Sequence, residues 1–269
     1  MKISLIKRLR ETTGVGIMDC KKALIRTNGN FEMAIDLLRK KGKKIAIRRS
    51  YIEGKEGAVT SSINLDSTCG TIIGLSCETD FLSRSSIFLD FLFELSRKSF
   101  LYDKKREFLF SFHHGVSIQE MIFEKMSVVG EKLELKIFEK INSPFVTNYT
   151  HNNQIATLVG FNSVIDKSVA KDIAMHITAM DPIALNEQEI PEYLMKKELE
   201  IIQHQVKIVK KPEEMKKKII SGKIKKFVLE NTLLNQKFIK DQRITVQEYI
   251  KKFTKGEIKI NSYKRICLL

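Results

Sequence analysis

The chain has 269 residues, 43% hydrophobic and 29% charged, enough to bury a core in one large domain or two to three small ones. Four prolines and thirteen glycines exclude a collagen-like or generally disordered chain, and no stretch approaches the roughly 20 apolar residues that span a bilayer. With 47 Lys and Arg against 32 acids the formal charge is +15, which fits either an anionic partner or a lysine-rich composition spread over solvent-facing surfaces.

Met1 to Glu11 is amphipathic and charged, without the apolar core and small-residue cleavage site of a secretory signal, so a cytoplasmic protein with no membrane partner is expected. Leu5, Ile6 and Leu9 predict a first helix ending near Thr12-Thr13-Gly14. Gly14 and Gly16 make a joint that leaves Val15-Gly16-Ile17 near the surface. A second helix carries Met18, Cys20, Ala23 and Leu24 to the Asn28-Gly29 turn signal. Asn30 caps a third, with Phe31, Ala34, Ile35 and Leu38 facing inward and Gly42 closing it. The basic run Lys40 to Arg49, KKGKKIAIRR, reads either as a solvated tether or as a nucleic-acid patch.

From Gly57 the period changes to alternation. Val59, Ser61, Ile63 and Leu65, then Ile73, Leu75 and Cys77 after a turn at Ser67 to Gly70, predict a β-hairpin. It leads into Glu78-Thr79-Asp80-Phe81-Leu82 and a helix with Ile87, Phe88, Phe91, Leu92 and Leu95 inside. Residues 100 to 130 read as mostly helical, and Leu133, Leu135 and Ile137 as a strand. Strand and helix recur at Ile155 to Phe161 and at Val169, Ile173 and Ile177, the helix ending at Asp181-Pro182, which suggests two related α+β halves. Around Lys210-Lys211-Pro212 two charged helical arms follow, with Leu194, Leu199, Ile202, Val206 and Val209 on one and Met215, Ile219, Ile220, Ile224 and Phe227 on the other. Such narrow apolar faces predict an antiparallel coiled-coil hairpin. Phe238-Ile239 and a helix from Val246 to Phe253 return the chain to the body.

Catalytic signatures are absent: no phosphate-binding glycine loop, no GxSxG elbow and no HExxH. Cys20, Cys69, Cys77 and Cys267 form no CxxC pair, and His113, His114, His151, His176 and His204 are not clustered with other ligands, so neither a metal nor a cofactor is expected. A lone His such as His176 among apolar residues reads as core or rim. Phe81, directly after a strand, fits either a core position or an exposed wedge.

Two runs carry a family resemblance. Leu9-Arg10-Glu11 followed by Thr13-Gly14-Val15-Gly16-Ile17-Met18-Asp19-Cys20-Lys21-Lys22-Ala23-Leu24 resembles the N-terminal signature of the elongation factor Ts family, and Cys77-Glu78-Thr79-Asp80-Phe81-Leu82 resembles its C-x-TDFV element. Val129-Gly130-Glu131, Ile173 to Ile177, Lys225-Lys226-Phe227 and Gln236 to Ile239 are similar in the family's order. The resemblance implies an α+β fold: a ubiquitin-associated-like three-helix domain (1–45), a basic linker (46–56), a core with antiparallel sheets in an N-subdomain (57–141) and a C-subdomain (142–186 and 229–269), and a coiled-coil insertion (187–228).

It also implies a function that is not enzymatic: guanine nucleotide exchange on elongation factor Tu, bound both with GDP and nucleotide-free. Thr79, Asp80, Phe81 and Leu82 would dislocate the partner's Mg²⁺, and Val15, Gly16, Met18, Asp19, Lys21, Lys22, Val129, Gly130, His151 and Ile239 would bind the partner. No specific nucleic acid is expected, since the chain lacks a basic motif interleaved with aromatic residues. Departures from the family are Leu82 in place of valine, a basic balance where many members are acidic, and an end at Lys264 to Leu269 where many relatives continue.

Overall fold

The computed structural model describes residues 3–49, 51, 53–208, 211–253 and 258–268. Met1, Val209, Lys210 and Leu269 of the sequence reading lie outside them. Helices α1 (Ile3–Thr13), α2 (Ile17–Arg26) and α3 (Phe31–Arg48) pack around Ile6, Leu9, Cys20, Leu24, Ala34 and Leu38. Gly14, at φ +70°, ends α1 in a left-handed conformation that a side chain would strain. Asn30 caps α3 by accepting from Met33 N at 3.0 Å. Gly42 does not close α3. The helix runs on through Ala46 to Arg48, residues expected in a linker, because Gly42 is a packing position: a Cβ there would lie 1.8 Å from Phe123 O.

Strands β1 (Glu56–Ile63) and β2 (Cys69–Cys77) form the expected hairpin, with Ala58 opposite Leu75 and Thr60 opposite Ile73. Leu65 is fully exposed in the connecting turn instead of continuing the alternation. After α4 (Asp80–Ser83) come α5 (Ser86–Lys98) and α6 (Lys105–Phe110). Phe88, Phe91, Leu92 and Leu95 of α5 are buried, at the i, i+3, i+4, i+7 spacing of one helix face, whereas Ile87 lies off that stripe and faces solvent. The tiny hairpin β3 (Phe112–His113) and β4 (Val116–Ser117) turns at His114-Gly115, both at positive φ. Helix α7 (Ile118–Val129) begins with a Ser117–Glu120 capping box and ends at left-handed Gly130. Then β5 (Glu134–Asn142) joins the edge of β2, giving the order β1-β2-β5, all antiparallel.

The second half repeats that topology. Strands β6 (Phe145–His151) and β7 (Ile155–Phe161) form a hairpin covered by α8 (Lys167–Met180), which ends at Asp181 as the sequence predicts. A 3₁₀ turn at Glu187–Glu189 precedes α9 (Glu192–Lys207) and α10 (Glu213–Asn231). Next come the short β8 (Lys237–Phe238) and β9 (Asp241–Thr245), α11 (Val246–Phe253) and β10 (Ile260–Cys267). Strand β10 pairs with β7, giving β6-β7-β10, the same order as β1-β2-β5. The two sheets meet face to face across Val59, Ile72, Ile141, Val146, Ala156 and Leu158. Each outer face carries helices, so β2 is buried along its whole length.

Helices α9 and α10 run antiparallel. Leu194 and Met195 at the start of α9 pack around Val228 near the end of α10, and Lys223 Nζ donates to Gln205 Oε1 at 2.6 Å farther out. Of the expected seam residues, Ile202 and Val206 are buried, while Met215 is exposed. Among the described residues, no helix is long and apolar enough to cross a membrane.

Candidate functional site

The step from β2 into α4 is where a hydrophobic strand ends in polar residues. Cys77 is the last buried position; its thiol donates to Thr79 O at 3.2 Å and is pushed up to about 12 by burial and by the Glu131 carboxylate. Thr79 then caps α4, its hydroxyl accepting from Leu82 N at 3.3 Å. This short helix turns its residues in opposite directions. Leu82 is 8% exposed and joins the core beneath the sheet, whereas Phe81 is 85% exposed. Asp80 is also exposed, with only a 3.8 Å approach to Arg84, an ion pair of negligible worth in water.

The loop beneath this step is braced from α7 and α3. Glu131 Oε2 accepts from Glu78 N (3.0 Å) and Thr79 N (3.1 Å), while its Oε1 accepts from the Thr79 hydroxyl at 2.7 Å. Glu78 reciprocates: its Oε1 accepts from Lys132 N at 2.7 Å, and its Oε2 pairs with the Arg49 guanidinium at the end of α3. Gly130, in the left-handed conformation with nothing within 4 Å of a would-be Cβ, turns the chain out of α7 so that Glu131 reaches this loop. Val129-Gly130 and Thr79 to Phe81 therefore share one surface.

The N-terminal helices reach the same place through α7. Ser127 Oγ donates to Leu38 O at 2.7 Å, and Val128 packs into the three-helix core, with its methyls 3.7 Å from where a Gly14 Cβ would be. Gly16, Met18, Lys21 and Lys22 are exposed along this joint, and Asp19 is held by Lys41 at 2.6 Å. Val15 corrects the expectation that the whole joint is surface. It is 2% exposed, with its carbonyl accepting from Cys20 Sγ, so its side chain supports the joint from within. Leu82 is likewise buried in the core of its own protein.

His151 is exposed at the end of β6. The β6–β7 turn that follows it, Asn152 to Gln154, lines a polar cleft of about 390 Å³ together with Ser83 and Arg84 after the Phe81 step. That turn is pinned to the first sheet by Val59 N donating to Asn153 O at 2.8 Å, which brings His151 toward the same end of the molecule. Ile239 has a different support: its N–H donates to buried His176 Nδ1 at 3.2 Å, and His176 Nε2 bonds Gln236 Oε1 at 3.0 Å. An Nδ1 that accepts a backbone N–H is unprotonated, so the ring is the neutral Nε2–H tautomer, and burial holds its pKa below the usual histidine range. His176 is thus core, and Ile239 stands 42% exposed above it.

Sequence reasoning missed the work of Arg49, Glu78 and Glu131. Glu78 and Glu131 stand inside the motifs that carry the resemblance, but no spacing rule says that carboxylates so far apart in sequence grip each other's loops. Among the described residues, no group of three or more His, Cys, Asp or Glu is placed to hold a metal ion.

Known proteins place this arrangement in a family. The sequence model of the family described as "Elongation factor TS" matches residues 78–268. The chain is 41% identical over 266 residues to an elongation factor Ts of Flavobacterium psychrophilum, covering 98% of this chain and 97% of that protein. It is 38% identical to the one of Christiangramia forsetii over the same shares, and 35% identical to one of Porphyromonas gingivalis over 98% of this chain and 96% of that protein. With that identity along nearly its whole length, the chain belongs to the elongation factor Ts family.

Proposed function

We propose that this chain is the guanine nucleotide exchange factor of an elongation factor Tu, acting in the cytoplasm without a cofactor of its own. The observation that carries the reading is Phe81: an aromatic ring left in solvent on a braced four-residue helix, beside the exposed carboxylate of Asp80, in a member of this family. Seating that ring in a partner gains about 1.5–3 kcal/mol from apolar burial, and Asp80 supplies an acceptor for basic or amide groups around the seat.

The proposed action follows from linkage. A factor that binds the nucleotide-free partner best weakens GDP by the same factor by which GDP weakens it. Thr79 to Leu82 act as the element that disturbs the partner's Mg²⁺ site, with Leu82 anchoring the element from within. Loss of the cation leaves phosphate charge uncompensated, and GDP departs. Gly16, Met18, Asp19, Lys21, Lys22, Val129 and Gly130 extend the contact along the joint between the N-terminal helices and α7, and His151 and Ile239 add outlying contacts. In this reading α1–α3 are the ubiquitin-associated-like unit, the two sheets are the two subdomains, and α9–α10 are the coiled-coil insertion.

Release of fluorescent GDP from Tu, followed by stopped flow with increasing amounts of this protein, is the direct test. The wild type should accelerate release and Phe81→Ala should lose most of the acceleration. An unaltered rate with Phe81→Ala would remove the wedge from the mechanism, and no acceleration by the wild type would remove the function.

A further inference from the structure

A helix cap asks for one acceptor on a first-turn N–H, and Thr79 already provides it to Leu82. The loop before α4 is held by much more. Both oxygens of Glu131 are engaged, on Glu78 N, Thr79 N and the Thr79 hydroxyl, and both oxygens of Glu78 are engaged in return, on Lys132 N and on Arg49. The two carboxylates thereby clasp each other's chain segments, and Arg49, at the C-terminal cap of α3, fastens the N-terminal helices to the clasp.

We propose that Glu131, and Arg49 acting through Glu78, are positioning residues for exchange: they hold the Asp80–Phe81 step in its docking conformation before the partner arrives. The inference rests on the exchange reading above and adds to it the residues that make the wedge rigid. A step that sampled several conformations would present Phe81 correctly only part of the time, and apparent affinity falls by that fraction. The Arg49 link has a second consequence. Contacts on the N-terminal helices and at Phe81 dock as one rigid surface, without the ordering cost that two loosely joined surfaces would incur on binding.

Glu131→Ala removes three hydrogen bonds to a charged acceptor. Its half-saturating concentration in Tu-dependent GDP release should rise about tenfold or more, with the rate at saturation within about twofold of wild type. Amide hydrogen exchange of the free protein should quicken at Glu78, Thr79 and Leu82 and stay unchanged in β2. Glu131→Gln should behave close to wild type, since a carboxamide oxygen can accept both amides and its NH₂ can donate to the Thr79 hydroxyl. In the Phe81→Ala background, Glu131→Ala should cost nothing further, because the two changes act through the same ring.

Wild-type concentration dependence in Glu131→Ala overturns the proposal. So does a Glu131→Gln protein as defective as Glu131→Ala, which would assign the effect to charge, and so do additive losses in the Phe81→Ala background. If Glu131→Ala fails to fold, Arg49→Met carries the test on a half-exposed side chain: a raised half-saturating concentration restored by Arg49→Lys supports the proposal, and an unchanged one overturns it. Failure of the wild type to release GDP would sink the exchange reading instead, while amide exchange at Thr79 would still report on the clasp.

Discussion

Phe81 and Leu82 are neighbours with opposite fates: the four-residue helix that holds both sends one side chain into solvent and the other into the core. Phe81 touches little of its own protein, so Phe81→Ala should change unfolding free energy by no more than about 0.5 kcal/mol. Phe88→Ala, at a fully buried ring in α5, should cost about 3–5 kcal/mol. Denaturant melts of the two variants measure that contrast, and a Phe81→Ala loss near the Phe88→Ala value would make Phe81 a core residue. At His176 the argument concerns protons. Its folded pKa lies below the unfolded value of about 6.5, so between the two the unfolded chain binds the extra proton. The stability due to neutral His176 is therefore fully present above about pH 6.5 and is lost as pH falls through that value toward the folded pKa. Nitrogen NMR at neutral pH should find His176 Nδ1 unprotonated; a proton on Nδ1 there would contradict the hydrogen bond from Ile239.

Two elements show how contacts override local signals. A glycine inside α3 disfavours the helix by about 1 kcal/mol relative to alanine, yet α3 passes through Gly42 because α7 crosses it there. Gly42→Ala should therefore destabilise, by about 1–3 kcal/mol as an overpacked position, although it raises helix propensity. A thermal melt more stable than wild type would refute the close crossing. The α9–α10 pair makes the opposite point. Ile202 and Val206 are buried, whereas Ala184, Ile190 and Val228 form a separate cluster at the base. Replacing the outer part, beyond Ile201 and before Lys223, with a short turn should leave the melting of the sheets essentially intact and retain much of the GDP release. Normal folding and Tu binding without GDP release would place part of the exchange step on this arm.

At the scale of the molecule, two three-stranded sheets of one topology share an interface of buried apolar residues and put their helices outside. The Phe81 step, the end of α7 and the joint after α1 then fall on one surface, because α7 is packed against α3 and leads directly into the clasp. The +15 charge has no aromatic-interleaved basic motif to give it sequence readout. RNA binding, measured by fluorescence anisotropy, should accordingly be weak and vanish with modest salt, as non-specific phosphate contacts do. Selective binding that survives physiological salt would mark a nucleic-acid function for the basic surface.

Periodicity and punctuation in the sequence determined most of the local structure: the caps at Asn30 and Asp181, the hairpin into Cys77, the buried stripe of α5 and the family motif around Asp80-Phe81. These are short-range signals, written within a turn or a strand. Tertiary structure alone decided the outcome wherever the partner lies far along the chain. Gly42 became a crossing point because of Phe123, Val15 sank into the three-helix core, and Leu65 was left in solvent by the turn. Arg49, Glu78 and Glu131 became a clasp only when α7 delivered one loop to the other. Whether a phenylalanine after a strand is buried or exposed is likewise settled by which neighbours fill the space around it, and here Leu82 fills the core and leaves Phe81 outside.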